Sequence, residues 1–272
     1  MDTGLAGKAV VVTGSTANIG KGILLAFAEE GCRVVVVGRD EVAGQRVVDE
    51  ALRRGAPEAL WRRTDVVDRV DAAGLISDTL ERLGAIDVLV NNVGGNTAVS
   101  PFVDSTIDQW RYDIDLTLMS TLNCTHAVLP HMLGRGEGRI INIGSMSALI
   151  GDRFMAVYSA AKGAVHSFTK VLALEVGKSG ITVNAIAPYG TMPEDPFNDT
   201  STGSRFQPET GLFPRELVAQ PELVGLIARD TALTRPHAKP SEIGAAAVYL
   251  ASQKAAFVTG QVLQVDGGVQ LP

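Results

Sequence analysis

Two cysteines in 272 residues, Cys32 and Cys124, supply neither a disulfide framework nor the close spacing of a metal knuckle. They read as small buried thiols. Basic residues are outnumbered, 24 Lys plus Arg against 30 Asp plus Glu. The net charge of −6 argues against nucleic acid or an anionic membrane as the main partner. No uninterrupted apolar run reaches the roughly 20 residues that cross a bilayer. The opening Met1-Asp2-Thr3-Gly4-Leu5 lacks the basic-then-apolar order of a secretory signal, so a cytoplasmic location is expected. Histidines are few, and His126 and His131 are five apart, off a common helical face. His166 and His237 stand alone; each of the four reads as an ordinary surface or core histidine, and no metal is expected.

What is present, 46% hydrophobic and 20% charged residues, suits one α/β domain over 1–272 with a sizeable core. Apolar, β-branched runs predict strands at 8–13, 32–37, 59–64, 86–90, 139–143, 181–187 and 262–265. Helical patterns fill 23–30, 41–54, 68–83, 104–133, 157–176, 216–233 and 240–250, with Asp104, Ser105 and Thr106 as capping candidates for the fourth. Residues 191–215 lose periodicity. They hold Pro193, Pro196, Pro208 and Pro214 with Phe197, Phe206 and Phe213, which reads as a lid packing on something rather than a disordered tract. The substrate lid is placed at about 190–235.

Three stretches carry chemistry. The first strand runs into Gly14-Ser15-Thr16-Ala17-Asn18-Ile19-Gly20-Lys21-Gly22 and then a helix, the context of a dinucleotide-binding turn. An ordinary glycine-rich βα turn is the plainer alternative. The second strand ends in Gly38-Arg39-Asp40, where an acid would select NAD through its ribose hydroxyl. Arg39 suits a 2′-phosphate instead, so NADP(H) is favoured and NAD(H) stays open. An exposed charge, or an ion pair with a nearby acid, are the other readings of Arg39. Finally, Tyr158-Ser159-Ala160-Ala161-Lys162 sets a phenol and an ammonium on one helical face, where the cation lowers the phenol's pKa. An exposed helical pair would show the same spacing.

These motifs stand in one order, and the order resembles the short-chain dehydrogenase/reductase family over nearly the whole chain. The matching pieces are Thr13-Gly14-(three residues)-Asn18-Ile19-Gly20, Asn91-Asn92-Val93-Gly94, Ser145 thirteen residues before Tyr158, Tyr158-x-x-x-Lys162, Asn184 with Pro188, and Val258-Thr259-Gly260 leading to Asp266-Gly267-Gly268. The resemblance implies a Rossmann-like, doubly wound, mostly parallel seven-stranded sheet with helices on both faces. It implies NAD(P)(H)-dependent interconversion of a secondary alcohol and a ketone. Tyr158 would exchange the proton, Ser145 would bond the substrate oxygen, and Lys162 would lower the tyrosine's pKa and hold the nicotinamide ribose. The cofactor would lie along Gly14, Ser15, Thr16, Asn18 and Ile19, then Arg39, Asp65 (at the adenine) with Val66, Asn92, Tyr158, Lys162, Pro188, Gly190 and Thr191. Helices 104–133 and 157–176 would pair between subunits, giving a homotetramer or homodimer.

Three departures from the family pattern bear on this. Asn18 replaces a turn glycine, which an asparagine tolerates in a left-handed backbone. Thr117 stands seven residues after Trp110, where relatives carry an asparagine of the proton relay. It is expected to bond a water without both donating and accepting as an amide does. Tyr189 intrudes between Pro188 and Gly190 beside the expected nicotinamide. Thr117 also motivates a second reading, a catalytically weak NAD(P)-binding sensor or scaffold. A third, Ser-Tyr chemistry without hydride transfer, ranks last because the turn and lysine are present. Met146, Phe154, Tyr189, Met192 and the lid phenylalanines point to a small, apolar carbonyl or alcohol substrate, cyclic ones included; packing of the lid itself is the equal alternative for these residues.

Overall fold

The first strand, β1 (Ala9–Val12), is buried along its whole length, and a β-branched run of this kind is stable only with both faces of its sheet covered. In the computed structural model, which describes residues 2–196, 199–207, 211–212 and 229–271, both faces are. The other strands are β2 (Arg33–Gly38), β3 (Ala59–Arg63), β4 (Val88–Asn91), β5 (Gly138–Ile143), β6 (Ile181–Pro188) and β7 (Val262–Val265). They form one seven-stranded, all-parallel sheet in the order β3-β2-β1-β4-β5-β6-β7, the Rossmann-like arrangement. The order reverses between β1 and β4, which opens a crevice at their carboxyl ends.

Alternate residues of each strand serve opposite cores. Val10, Val12, Val34 and Val36 pack against α1 (Asn18–Glu29), α2 (Glu41–Arg53) and α8 (Pro240–Ala251), through Ile23, Phe27, Val47 and Ile243. Ala9, Val11, Val35 and Val37 meet α3 (Arg69–Leu83), α5 (Ser120–Arg135) and α7 (Ala156–Val176), through Leu75, Val128 and Leu172. Cys32 and Cys124 lie in these two cores as free, buried thiols. Beyond β6, Asn184 donates to the Val258 carbonyl (2.8 Å) and accepts from Gln261 N (3.0 Å), fastening the approach to β7. No helix among the described residues is long and apolar enough to cross a membrane.

Several elements differ from the sequence expectation. Helix α1 starts at Asn18 rather than Ile23, so half of the glycine-rich turn is already helical. The long helix expected over 104–133 is divided. A 3-10 turn (Phe102–Asp104) precedes α4 (Ile107–Ile114), a π turn occupies Asp115–Met119, and only then does α5 begin. Of the three capping candidates Thr106 does the work: it bonds Gln109 N while the Gln109 side chain bonds back. A short α6 (Ser147–Ile150) follows β5. Of the helix expected at 216–233, residues 216–228 lie outside the described residues, and 229–233 are not helical.

Asp87, at the mouth of β4, ties three elements together. Its carboxylate accepts from Ala9 N (2.8 Å), Arg135 Nη2 (2.9 Å) and Lys8 Nζ (3.3 Å). Burial pushes this carboxyl up, but the Ala9 N–H, Arg135 and Lys8 outweigh burial and hold it below the usual range. Asp87→Ala leaves the Ala9 N–H without its acceptor and should lower unfolding free energy by about 1–3 kcal/mol at pH 7 in urea. A carboxyl depressed in the folded state stabilises above its unfolded value, about 3.9, and less as pH falls through the folded one. The gap between wild type and variant should therefore narrow below about pH 4.

Candidate active site

The crevice is floored by the glycine-rich turn. Asn18 takes the left-handed conformation (φ +49°), and Gly20 lies so close beneath the chain that a Cβ would come 2.2 Å from the Gly14 carbonyl oxygen. Asn92 braces this turn from behind: its side-chain amide donates to the Thr13 and Gly14 carbonyls (2.9 and 3.1 Å). Ser15 ties the turn to β2, its Oγ accepting from Val37 N (3.0 Å). Asn92 and Ser15 therefore shape the crevice with side chains already engaged by backbone. Ile19 packs on the core beneath. Helix α1 begins with no side-chain cap and no acid in its first turn, leaving its amide dipoles for an anion. Buried acceptors without partners, Asn18 Oδ1 and Thr191 Oγ1, add to a cradle that fits a ligand rich in phosphate and hydroxyl groups.

At the end of β2, Arg39 is 43% exposed and its Nη1 is 3.7 Å from Asp65 Oδ2, so the ion-pair alternative describes its contact here. Asp40 caps α2 through Ala43 N (3.0 Å) and also accepts from Thr202 N (3.0 Å) and Thr202 Oγ1 (3.2 Å). The Ala43 N–H in particular holds its carboxyl below the usual range. Asp65 also accepts from Val67 N (3.1 Å), and Val66 is buried with its carbonyl on Asn123.

Tyr158 and Lys162 lie one turn apart on α7, only 9% and 3% exposed, which removes the exposed-pair reading. Lys162 Nζ donates to the Ile143 carbonyl at the end of β5 (2.5 Å) and is 5.9 Å from the centre of the Tyr158 ring. Ser145, just after β5, lies near enough to the phenol to help lower its pKa, and its own Oγ accepts from Ser147 Oγ (2.8 Å) and N (3.1 Å). Burial raises the phenol's pKa, but the Arg205 and Lys162 cations together with Ser145 prevail, and it lies below the ordinary value. Burial pushes the Lys162 ammonium down, against the pull of Tyr158.

Thr117, fully buried in the π turn, corrects the expectation about its hydroxyl. Oγ1 donates to the Gly95 carbonyl (3.1 Å) and accepts from Gly95 N (3.2 Å), so it does both, clasping the loop after β4. At the far side Pro188 ends β6 and accepts from Met146 N (3.1 Å); Gly190 (φ +49°) accepts from Ala238 N (3.0 Å). Tyr189 Oη accepts from Arg229 N (2.7 Å). Thr191 bridges to Ala238.

Three participants escaped the sequence reading. His166 is a core histidine, as expected, but its contact with the site is new: its Nε2 accepts from Ser145 N (3.3 Å), and burial, then Lys162 and Lys170, push its pKa down to about 4 and keep it neutral. Tyr158, Lys162 and His166 recur every four residues, a signal that was available. Asp113, a buried carboxyl, accepts from Thr97 N (2.8 Å) and lines a pocket against Tyr158 with Asn96, Ser100, Gln109 and Phe154. Arg205 lies with its Cζ 5.0 Å over the Tyr158 ring. Of the residues expected to give an apolar lining, Met146 is buried in the interior and Phe154 lines the pocket, while Phe197 and Phe213 lie outside the described residues.

Comparison with known proteins agrees with the fold. Residues 8–198 match the family model described as short chain dehydrogenase, and 212–270 match one described as enoyl-(acyl carrier protein) reductase. An L-fucose dehydrogenase of Oryctolagus cuniculus is 36% identical over 98% of this chain and 86% of its own. A cis-4-hydroxycyclohexanecarboxylate dehydrogenase of Sinomonas cyclohexanicum is 33% identical over 98% of both. The solved structure of a 7α-hydroxysteroid dehydrogenase, complexed with NADH and 7-oxo glycochenodeoxycholic acid, superimposes with a TM-score of 0.83 at 31% identity, covering 98% of this chain and 96% of that one. With the family model matched over residues 8–198 and relatives 33% and 36% identical over 98% of its length, the chain belongs to the short-chain dehydrogenase family of oxidoreductase enzymes.

Proposed function

We propose that the protein interconverts a secondary alcohol and a ketone with a nicotinamide dinucleotide, NADP(H) preferred over NAD(H). The observation that carries this is the convergence of Ser145, Tyr158 and Lys162 at the crevice beside the turn. The cofactor supplies or accepts the hydride. Tyr158 donates a proton to the ketone oxygen in reduction and takes one from the alcohol in oxidation, and Ser145 steadies that oxygen by a hydrogen bond. Lys162 holds the phenol's pKa down, and His166 fixes the Ser145 backbone. Thr117 positions the loop that carries Gly94 and Gly95. Turn residues Gly14, Thr16, Asn18 and Ile19 would cradle the pyrophosphate, with Gly190 and Thr191 at the nicotinamide end. Asp40 supports the NADP(H) reading, because its carboxylate caps α2 through Ala43 N, and the half-exposed Arg39 beside it, 3.7 Å from Asp65, is the cation available to a 2′-phosphate.

The pocket is lined by both kinds of side chain, Phe102, Trp110, Phe154 and Val157 beside Asn96, Ser100, Gln109 and Asp113, which suits an apolar or cyclic substrate that also carries further hydroxyl groups. Exposed apolar side chains on α4, α5 and α7 (Ile114, Leu133, Val171, Leu174) support pairing of two or four copies. A cytoplasmic location remains part of the proposal.

Tyr158→Phe should cut turnover by about 10²–10⁴-fold on polyols and cyclic alcohols while dinucleotide binding by fluorescence is kept. Undiminished turnover would sink the mechanism. Because Tyr158 acts as base in oxidation, kcat/KM for the alcohol should rise with pH through a midpoint below the ordinary phenol value of about 10, and reduction should fall over the same span. Lys162→Met removes the cation, so the oxidation limb should move alkaline; an unmoved limb would take that role from the lysine. Arg39→Ala should weaken NADPH about tenfold or more and leave NADH nearly unchanged. Equal losses for both would assign Arg39 a structural role.

A further inference from the structure

The described residues 199–207 do not arch away from the crevice; they run along it. Asp199 Oδ2 accepts from Lys21 Nζ (2.6 Å), and the Thr200 carbonyl accepts from Arg46 Nη2 (3.2 Å). Ser201 Oγ and Thr16 Oγ1 share a hydrogen bond of 2.9 Å, both residues being buried. Thr202 donates twice to Asp40. Gly203 is so close to Arg39 that a Cβ there would come 2.7 Å from Nη2. Ser204 Oγ accepts from Asn18 Nδ2 (2.6 Å), and the Arg205 guanidinium lies over the Tyr158 ring, its Cζ 5.0 Å from the centre. In seven residues the strap thus engages the turn, the end of β2 and the acid/base tyrosine.

We infer that residues 199–207 are an internal competitor of the dinucleotide, occupying with hydroxyls and a guanidinium the groups that a cofactor would use. This rests on the cofactor reading above. Thr16, Asn18, Arg39 and Tyr158 cannot serve the strap and a dinucleotide at once, so binding must displace the strap. The apparent dissociation constant is then the intrinsic one divided by the fraction of molecules whose strap is open. Displacement also lifts Arg205 from Tyr158, so the phenol becomes accessible to substrate only once the dinucleotide has arrived. The strap couples cofactor occupancy to exposure of the proton donor.

The test is the affinity of the whole protein for NADPH and NADH, by fluorescence titration, in wild type, in Ser201→Ala/Thr202→Ala/Ser204→Ala, and in Asp199→Ala. None of these positions belongs to the catalytic groups. Losing two or three strap hydrogen bonds should tighten dinucleotide binding by about fivefold to tenfold in the triple variant, and less in Asp199→Ala. Amide hydrogen exchange over 199–207 in the wild type should speed up as dinucleotide is added. Unchanged affinity in both variants overturns the inference and leaves the cofactor reading intact. Weaker binding, with slower exchange of 199–207, would make the strap a clamp over the bound ligand and also overturns it. No binding of either dinucleotide to any of the proteins overturns both readings together.

Discussion

A buried ammonium beside a buried phenol is expensive to build, because each would rather be in water. The cost is met by position: Lys162 donates to the Ile143 carbonyl where β5 runs out of partners, and Tyr158 meets Ser145 two residues further on. Both anchors depend on β5 ending where it does, and β5 is held between β4 and β6 in strict parallel register. A shift of α7 along its axis would strand the lysine without an acceptor. The sheet, the helix and the chemistry are therefore fixed by one contact region, and His166, a turn beyond Lys162, extends the same logic to the backbone of Ser145.

The parts of the molecule that could be read in the sequence are those where local pattern and tertiary burial agree. Ala9–Val12 is apolar on both faces and lies in the middle of the sheet; Tyr158 and Lys162 share a helical face and are both interior. Reading failed where two remote segments decide the outcome. Nothing in residues 104–133 announces the π turn, because apolar periodicity continues through it; it is revealed only by the clasp between Thr117 and Gly95, 22 residues apart in the chain. Arg39 was legible as a cation at the end of β2, with an ion pair among its readings, but which acid it meets, Asp65, is decided by the next strand. Arg205 had no local signal at all. Its place over Tyr158 is set by contacts such as Ser201 with Thr16, separated by 185 residues.

Polar groups are unevenly shared between the two ends of the sheet. At the amino ends, Asp87, Lys8, Arg135 and Glu137 form a closed ionic knot whose members satisfy one another. At the carboxyl ends the groups are left with spare capacity, as at Asn18 and Thr191. One end is built to hold the strands together and the other to receive a ligand, which is the division expected of an open parallel sheet.

The π turn at Asp115–Met119 also preserves a phase. It inserts one extra residue into a turn of helix, and α4 emerges from it carrying Gln109, Trp110 and Asp113 toward the pocket, while Cys124, Val128 and Met132 on α5 stay locked in the core. Because the wide turn absorbs that residue locally, α4 and α5 keep nearly the phase of an unbroken helix, and removing one residue there would tighten the turn with little rotation of either. What would change is the backbone at Thr117, which clasps Gly95 from within the bulge. The extra residue therefore serves the loop after β4, while the pocket face of α4 and the core face of α5 stay where they are.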